Sequence, residues 1–175
     1  HDIEVEDDVT AYVEYENGAT GTFVTTTGDV PGSNRFEITL DKGKIVAGAG
    51  RLLLWELEVS EPEFSKTNRV AFAAPRSTYK QVETDGKSEQ HSGVLNAFAG
   101  AILRGEPLIA GGEEGINGLM LSNAMHLSAF LGGKTVSLPI DDDLYYNELM
   151  KRVATSRRKE GVQAVLSDTE GSYNV

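Results

Sequence analysis

Three histidines, one polar loop and one glycine-rich stretch hold the side chains of this 175-residue chain whose types and spacing suit chemistry. The stretch GGEEGING, residues 111–118, invites a phosphate-binding reading. A dinucleotide loop requires G-x-G-x-x-G directly after a strand, and a Walker loop ends in Gly-Lys followed by Ser or Thr. Neither spacing occurs. Glu113 and Glu114 would also repel a pyrophosphate, whereas the positive end of a helix favours them. The stretch therefore reads as the entry to a helix.

His1, His91 and His126 are too scattered for a metal motif such as H-E-x-x-H, and the acids near the start lack the spacing of a calcium loop. His126 falls beside an apolar helical stripe, the place of a structural or interface residue. His91 stands where the pattern changes from sheet to helix, either as a surface residue near a helix start or as a ligand contact. The loop TTGDVPGSNRF, residues 26–36, gathers Asn34 and Arg35 after Pro31 and Gly32. It reads either as a contact for a polyhydroxylated substrate or as an ordinary polar loop. No acid/base pair or activated nucleophile emerges from the spacing, so no catalytic, cofactor-binding or metal-ligating residue is assigned.

Composition narrows the partners. Hydrophobic residues make up 39% of the chain, a globular level, and no apolar run approaches the roughly 20 residues of a membrane span. A net charge of −11 opposes binding to phosphate backbones. The basic residues cluster only at Lys151, Arg152, Arg157, Arg158 and Lys159. With no cysteine, thiolate chemistry and disulfides are excluded, and a reducing cytoplasm is the expected setting. The start HDIEVEDD reads as though cut from a longer chain.

The elements that must position these residues follow from periodicity. Two β-rich runs flank Asn17-Gly18, a tight-turn pair, and a second hairpin turns at residues 41–43. RLLLWELEV predicts a further strand, with Leu52, Leu54 and Leu57 buried and Trp55 on the other face. Shorter strand-like pieces lie at Val70–Ala73 and Tyr79–Glu83. The acids of IEVEDD alternate with Ile3 and Val5 like the solvent face of a strand. After Gln90 the period becomes helical: Ser92 is the expected cap, and Gly105 and Pro107 the stop. A second helix carries a stripe from Ile116 to Leu131, and TVSLPI reads as a strand. Asp141, Asp142 and Asp143 open a third helix bearing Leu144, Leu149 and Val153. The expectation is an α+β fold: an open-faced, mainly antiparallel β-sheet with helices packed on one face. One domain is expected over 1–160, with a tail over 161–175.

Two runs of the sequence carry a family likeness. VEDDVTAYVEYENGATGTFVTTTGDVPGSNRFEITLDKGKI and FAGAILRGEPLIAGGEEGINGLMLSNAMHLSAFLGGKTVSLPID together resemble the C-terminal domain of the Gfo/Idh/MocA family of NAD(P)-dependent oxidoreductases. The second run carries the more specific part of the resemblance. It implies a Rossmann domain followed by this sheet domain, which covers the substrate and builds a homo-oligomer through its sheet face. The implied reaction is hydride transfer between NAD or NADP and a sugar, inositol or related polyol. The family's E-K-P lysine and D-x-x-x-H motif do not occur here and belong upstream in family order. No catalytic residue is transferred, His1 included, and the fragment alone is expected to be inactive.

Substrate contacts in the family often come from the loop matching residues 28–35, although the aromatic residue of some inositol-type members is missing. Asn34 and Arg35 from this loop, with His91 from its place at the change from sheet to helix, are the substrate-binding candidates. The alternative is a non-catalytic binding or dimerisation module, with Trp55, Phe23 and Tyr12 as candidates for its exposed sheet face.

Overall fold

The structure, a computed structural model, describes residues 4–87 and 89–157. His1, Arg158, Lys159 and the expected tail at 161–175 lie outside the described residues. The fold is α+β, with antiparallel sheets and four helices. The described residues divide into two compact units, Asp7–Ile109 and a second that holds residues 4–6 and 110–157.

The first unit begins with β1 (Asp8–Glu14) and β2 (Thr20–Thr26), an antiparallel pair. The chain reverses where Gly18 N–H donates to Tyr15 O and Asn17 Oδ1 accepts from Ala19 N–H. Gly18 alone takes the left-handed conformation there, at φ 84°. A separate four-stranded antiparallel sheet follows in the order β3 (Arg35–Leu40), β4 (Gly43–Gly48), β5 (Arg51–Leu57) and β6 (Ser77–Val82). The strands are thus shared between two sheets where the sequence suggested one.

Gly43 is required by close approach. A Cβ at that position would stand 2.0 Å from the Trp55 carbonyl oxygen, so any side chain would push β4 off β5. Between β5 and β6 lies α1 (Glu61–Thr67), which periodicity missed because its 7 residues hold too few apolar positions. Pro62 sits in its first turn, where no intrahelical N–H is needed. The strand-like piece at 70–73 is a turn and loop.

The same unit holds α2 (Gln90–Arg104). It starts earlier than Ser92, from Glu89, which makes no side-chain capping bond. Gly105 closes it at φ 69°, as expected. Its stripe of Val94, Leu95, Phe98 and Ile102 remains exposed.

In the second unit a 3₁₀ turn (Gly112–Glu114) leads into α3 (Gly115–Phe130), and α4 (Asp142–Thr155) follows. Asp141 caps α4 by accepting from Leu144 N–H at 2.9 Å. Leu127, 1% exposed, is the packed centre of the α3 stripe, while Ile116 and Leu119 at its other end are exposed. TVSLPI is not a strand. Pro139 has no N–H to give a ladder, and this segment instead lines an apolar cavity of about 280 Å³ with Leu127, Leu131 and Leu144.

Candidate functional site: one face of the four-stranded sheet

Strand alternation and register decide which side chains share a face. Glu37 lies opposite Val46, Lys44 opposite Trp55, and Trp55 opposite Tyr79. With Arg35, two residues before Glu37, these share one face, which sets polar and aromatic side chains around the apolar Val46 and Leu53. Leu57 pairs with Ser77 and belongs to this face with Trp55, not with Leu52 and Leu54 as expected. The run Leu52-Leu53-Leu54-Trp55 conceals the alternation, so only register assigns it.

Glu37 is the electrostatic hub of the face. Its carboxylate takes both the Arg35 guanidinium and the Lys44 ammonium, the latter across the strand diagonal. The hydrogen bond from Lys44, reinforced by the charge of Arg35, holds the Glu37 carboxyl below the usual carboxylate range. A general acid needs the opposite shift, so Glu37 serves as an anchor that orients two donors. Beside it the Trp55 and Tyr79 rings meet at 5.0 Å and 49°, a tilted pair in which Trp55 is half-buried and Tyr79 exposed.

Such a face offers cationic N–H donors, a carboxylate acceptor and an aromatic platform. These groups can donate and accept hydrogen bonds and offer a flat ring surface for stacking.

The sequence candidates distribute unequally over this geometry. Arg35 is on the face, with its side chain 62% exposed. Asn34 immediately precedes β3, and its carbonyl packs against Gly48, where a Cβ would lie 3.0 Å away. His91 is the second residue of α2, away from the paired strands in sequence. Glu37, Lys44 and Tyr79 were missed, since period-2 alternation marks them as outward polar positions while only cross-strand register brings them together. Tyr12 and Phe23 do not share a face: Tyr12 stands opposite Thr22 and Phe23 opposite Ala11 on the other side of the β1–β2 hairpin. Trp55 belongs to the other sheet.

Among the described residues, no group of three or more His, Asp or Glu is placed to hold a metal ion, and no helix is long and apolar enough to cross a membrane. The glycine-rich stretch does not fit a dinucleotide. It forms the 3₁₀ turn, with Glu113 and Glu114 at the start of the helix where a pyrophosphate would have to lie.

Residues 1–46 match the family model described as the GFO/IDH/MocA C-terminal domain. Over these residues the chain is similar to that domain. The matched segment takes in β1 to β3 and most of β4, including Asn34, Arg35, Glu37 and Lys44. It falls on the first of the two runs that carried the resemblance; the glycine-rich second run lies outside it. Gfo/Idh/MocA proteins are generally oxidoreductases and typically nicotinamide-dependent. No curated protein matches the chain.

Proposed function

We propose that this chain is the substrate-covering and oligomer-forming part of a nicotinamide-dependent oxidoreductase acting on a sugar, inositol or related polyol. The observation that carries the reading is the coincidence of the Gfo/Idh/MocA match with the Arg35–Glu37–Lys44 cluster beside Trp55 and Tyr79. Arg35 and Asn34 would contact substrate hydroxyls, and His91 is the third candidate contact. NAD or NADP would be held by a Rossmann domain upstream, since the glycine-rich stretch with Glu113 and Glu114 does not suit a pyrophosphate. This part contributes walls and orientation, and alone it is inactive.

The test is to read the coding sequence upstream and assay its product. About 120–150 further residues with G-x-G-x-x-G after a strand, in an enzyme that reduces NAD or NADP with a polyol, are expected. An upstream sequence without that motif would refute the reading.

A second reading, a non-catalytic assembly module that dimerises through a sheet face, draws on the exposure of Phe36 and Tyr79 on opposite faces of the larger sheet. Light scattering on the isolated chain tests the sheet-face association that both readings share. A monomer at high concentration would remove oligomer formation from both readings.

A further inference from the structure

The acids at the start of the chain were expected on the solvent face of a strand. Instead Glu4 and Glu6 precede β1 and reach two different helices. The Glu4 carboxylate accepts from Ser156 Oγ–H and, at 3.1 Å, from Arg157 N–H, just past the end of α4. Glu6 Oε1 lies 3.0 Å from His126 Nε2 on α3.

From His126 the contacts continue to α4. The His126 ring meets Phe130 edge-on at 6.0 Å, and Phe130 stacks with Tyr145 at 6.3 Å. The Arg152 guanidinium lies 3.7 Å from the centre of the Phe130 ring and donates to Phe130 O and Glu148 O. Residues 4–6 thereby close a loop of contacts that runs through both helices and returns to the end of α4.

Glu4 is electrostatically misplaced. The C-terminal end of a helix carries partial negative charge, and a carboxylate there is disfavoured unless donors compensate. The Ser156 hydroxyl and the Arg157 N–H supply that compensation as charge-assisted hydrogen bonds. Apolar burial adds little, because Val5 between the two acids is 67% exposed. A short exposed segment held through its side chains opens at smaller free-energy cost than a packed element.

We propose that residues 4–6 form a releasable strap that locks the α3–α4 pair, with Glu4 on the end of α4 and Glu6 on His126. The state of the chain entering at residue 4 then sets the order of the last turn of α4.

Amide hydrogen exchange on the whole chain tests the strap. In Glu4→Ala/Glu6→Ala, amides of residues 152–157 should exchange about tenfold faster, while those of β3–β6 keep their wild-type rates. His126→Gln, which replaces the ring at the far anchor and with it the edge contact to Phe130, should also speed exchange at 154–157. Should the double variant lose its helical unit, Glu6→Gln provides the milder case and should give a smaller acceleration in the same residues. Unchanged rates at 152–157 in the alanine variant, or effects of His126→Gln confined to α3, would overturn the proposal.

Discussion

The two faces of the four-stranded sheet are built from the same strands but equipped for different work. One carries Arg35, Glu37 and Lys44 beside the Trp55–Tyr79 pair. The other carries Phe36, Ile38, Leu40, Ile45, Leu52 and Leu54, with Phe36 and Leu40 largely open to solvent and the Glu56–Lys80 ion pair toward its β6 edge. The difference teaches what each face needs. The apolar face gains from any cover, at about 25 cal/mol per Å² of apolar surface removed from water. The polar and aromatic face gains from a partner that matches its donors, acceptor and ring.

The largest effect is expected where the two faces share a backbone. Gly43→Ala puts a Cβ against the Trp55 carbonyl and should cost about 2–3 kcal/mol in denaturant unfolding. A variant as stable as wild type would mean that β4 and β5 do not pair in this register, and the division of faces would fall with it.

On the apolar face, Ile45→Ala in a half-covered site should cost about 1–2 kcal/mol in the same assay. On the other face, Trp55→Ala removes the ring pairing with Tyr79, worth about 0.5–1.5 kcal/mol beyond its area. It should also weaken polyol binding in the full-length enzyme, measured by calorimetry, whereas Ile45→Ala should leave binding intact. Equal effects on binding would erase the functional contrast.

The smallest effect is electrostatic. Lys44→Met should raise the Glu37 pKa toward its ordinary value in a carbon-detected NMR titration, because the Lys44 hydrogen bond is the main cause of its depression. The sign follows from the direction of the shift. The native Glu37 carboxyl lies below its unfolded value, so its contribution is present above the unfolded pKa and is lost as pH falls through the folded one. In Lys44→Met that acid-side loss of stability should shrink.

The sequence reveals these elements unevenly, for physical reasons. Alternation in RFEITL displays β3 directly, because each polar residue is followed by an apolar one. Leu52-Leu53-Leu54-Trp55 has no such contrast, and Leu57 was placed on the wrong face in consequence. Pro139, which cannot donate to a ladder, is the residue that argues against a strand at TVSLPI, where the reading rested on the apolar run.

Arg35 stood out as a charged residue in a loop-to-strand turn. Its partners Glu37, Lys44 and Tyr79 depend on register, which a single sequence does not encode locally. The pairing of Glu6 with His126 spans most of the chain, and no periodicity carries information over that distance.

The central claim is that the Arg35 face holds substrate in a nicotinamide-dependent enzyme. Steady-state kinetics of Arg35→Ala in the full-length protein test it most directly, with Glu37 retained. The account predicts a rise in KM for the polyol of about tenfold or more with the KM for the nicotinamide unchanged, the loss of one charge-assisted hydrogen bond to substrate. Wild-type KM values for both would contradict it.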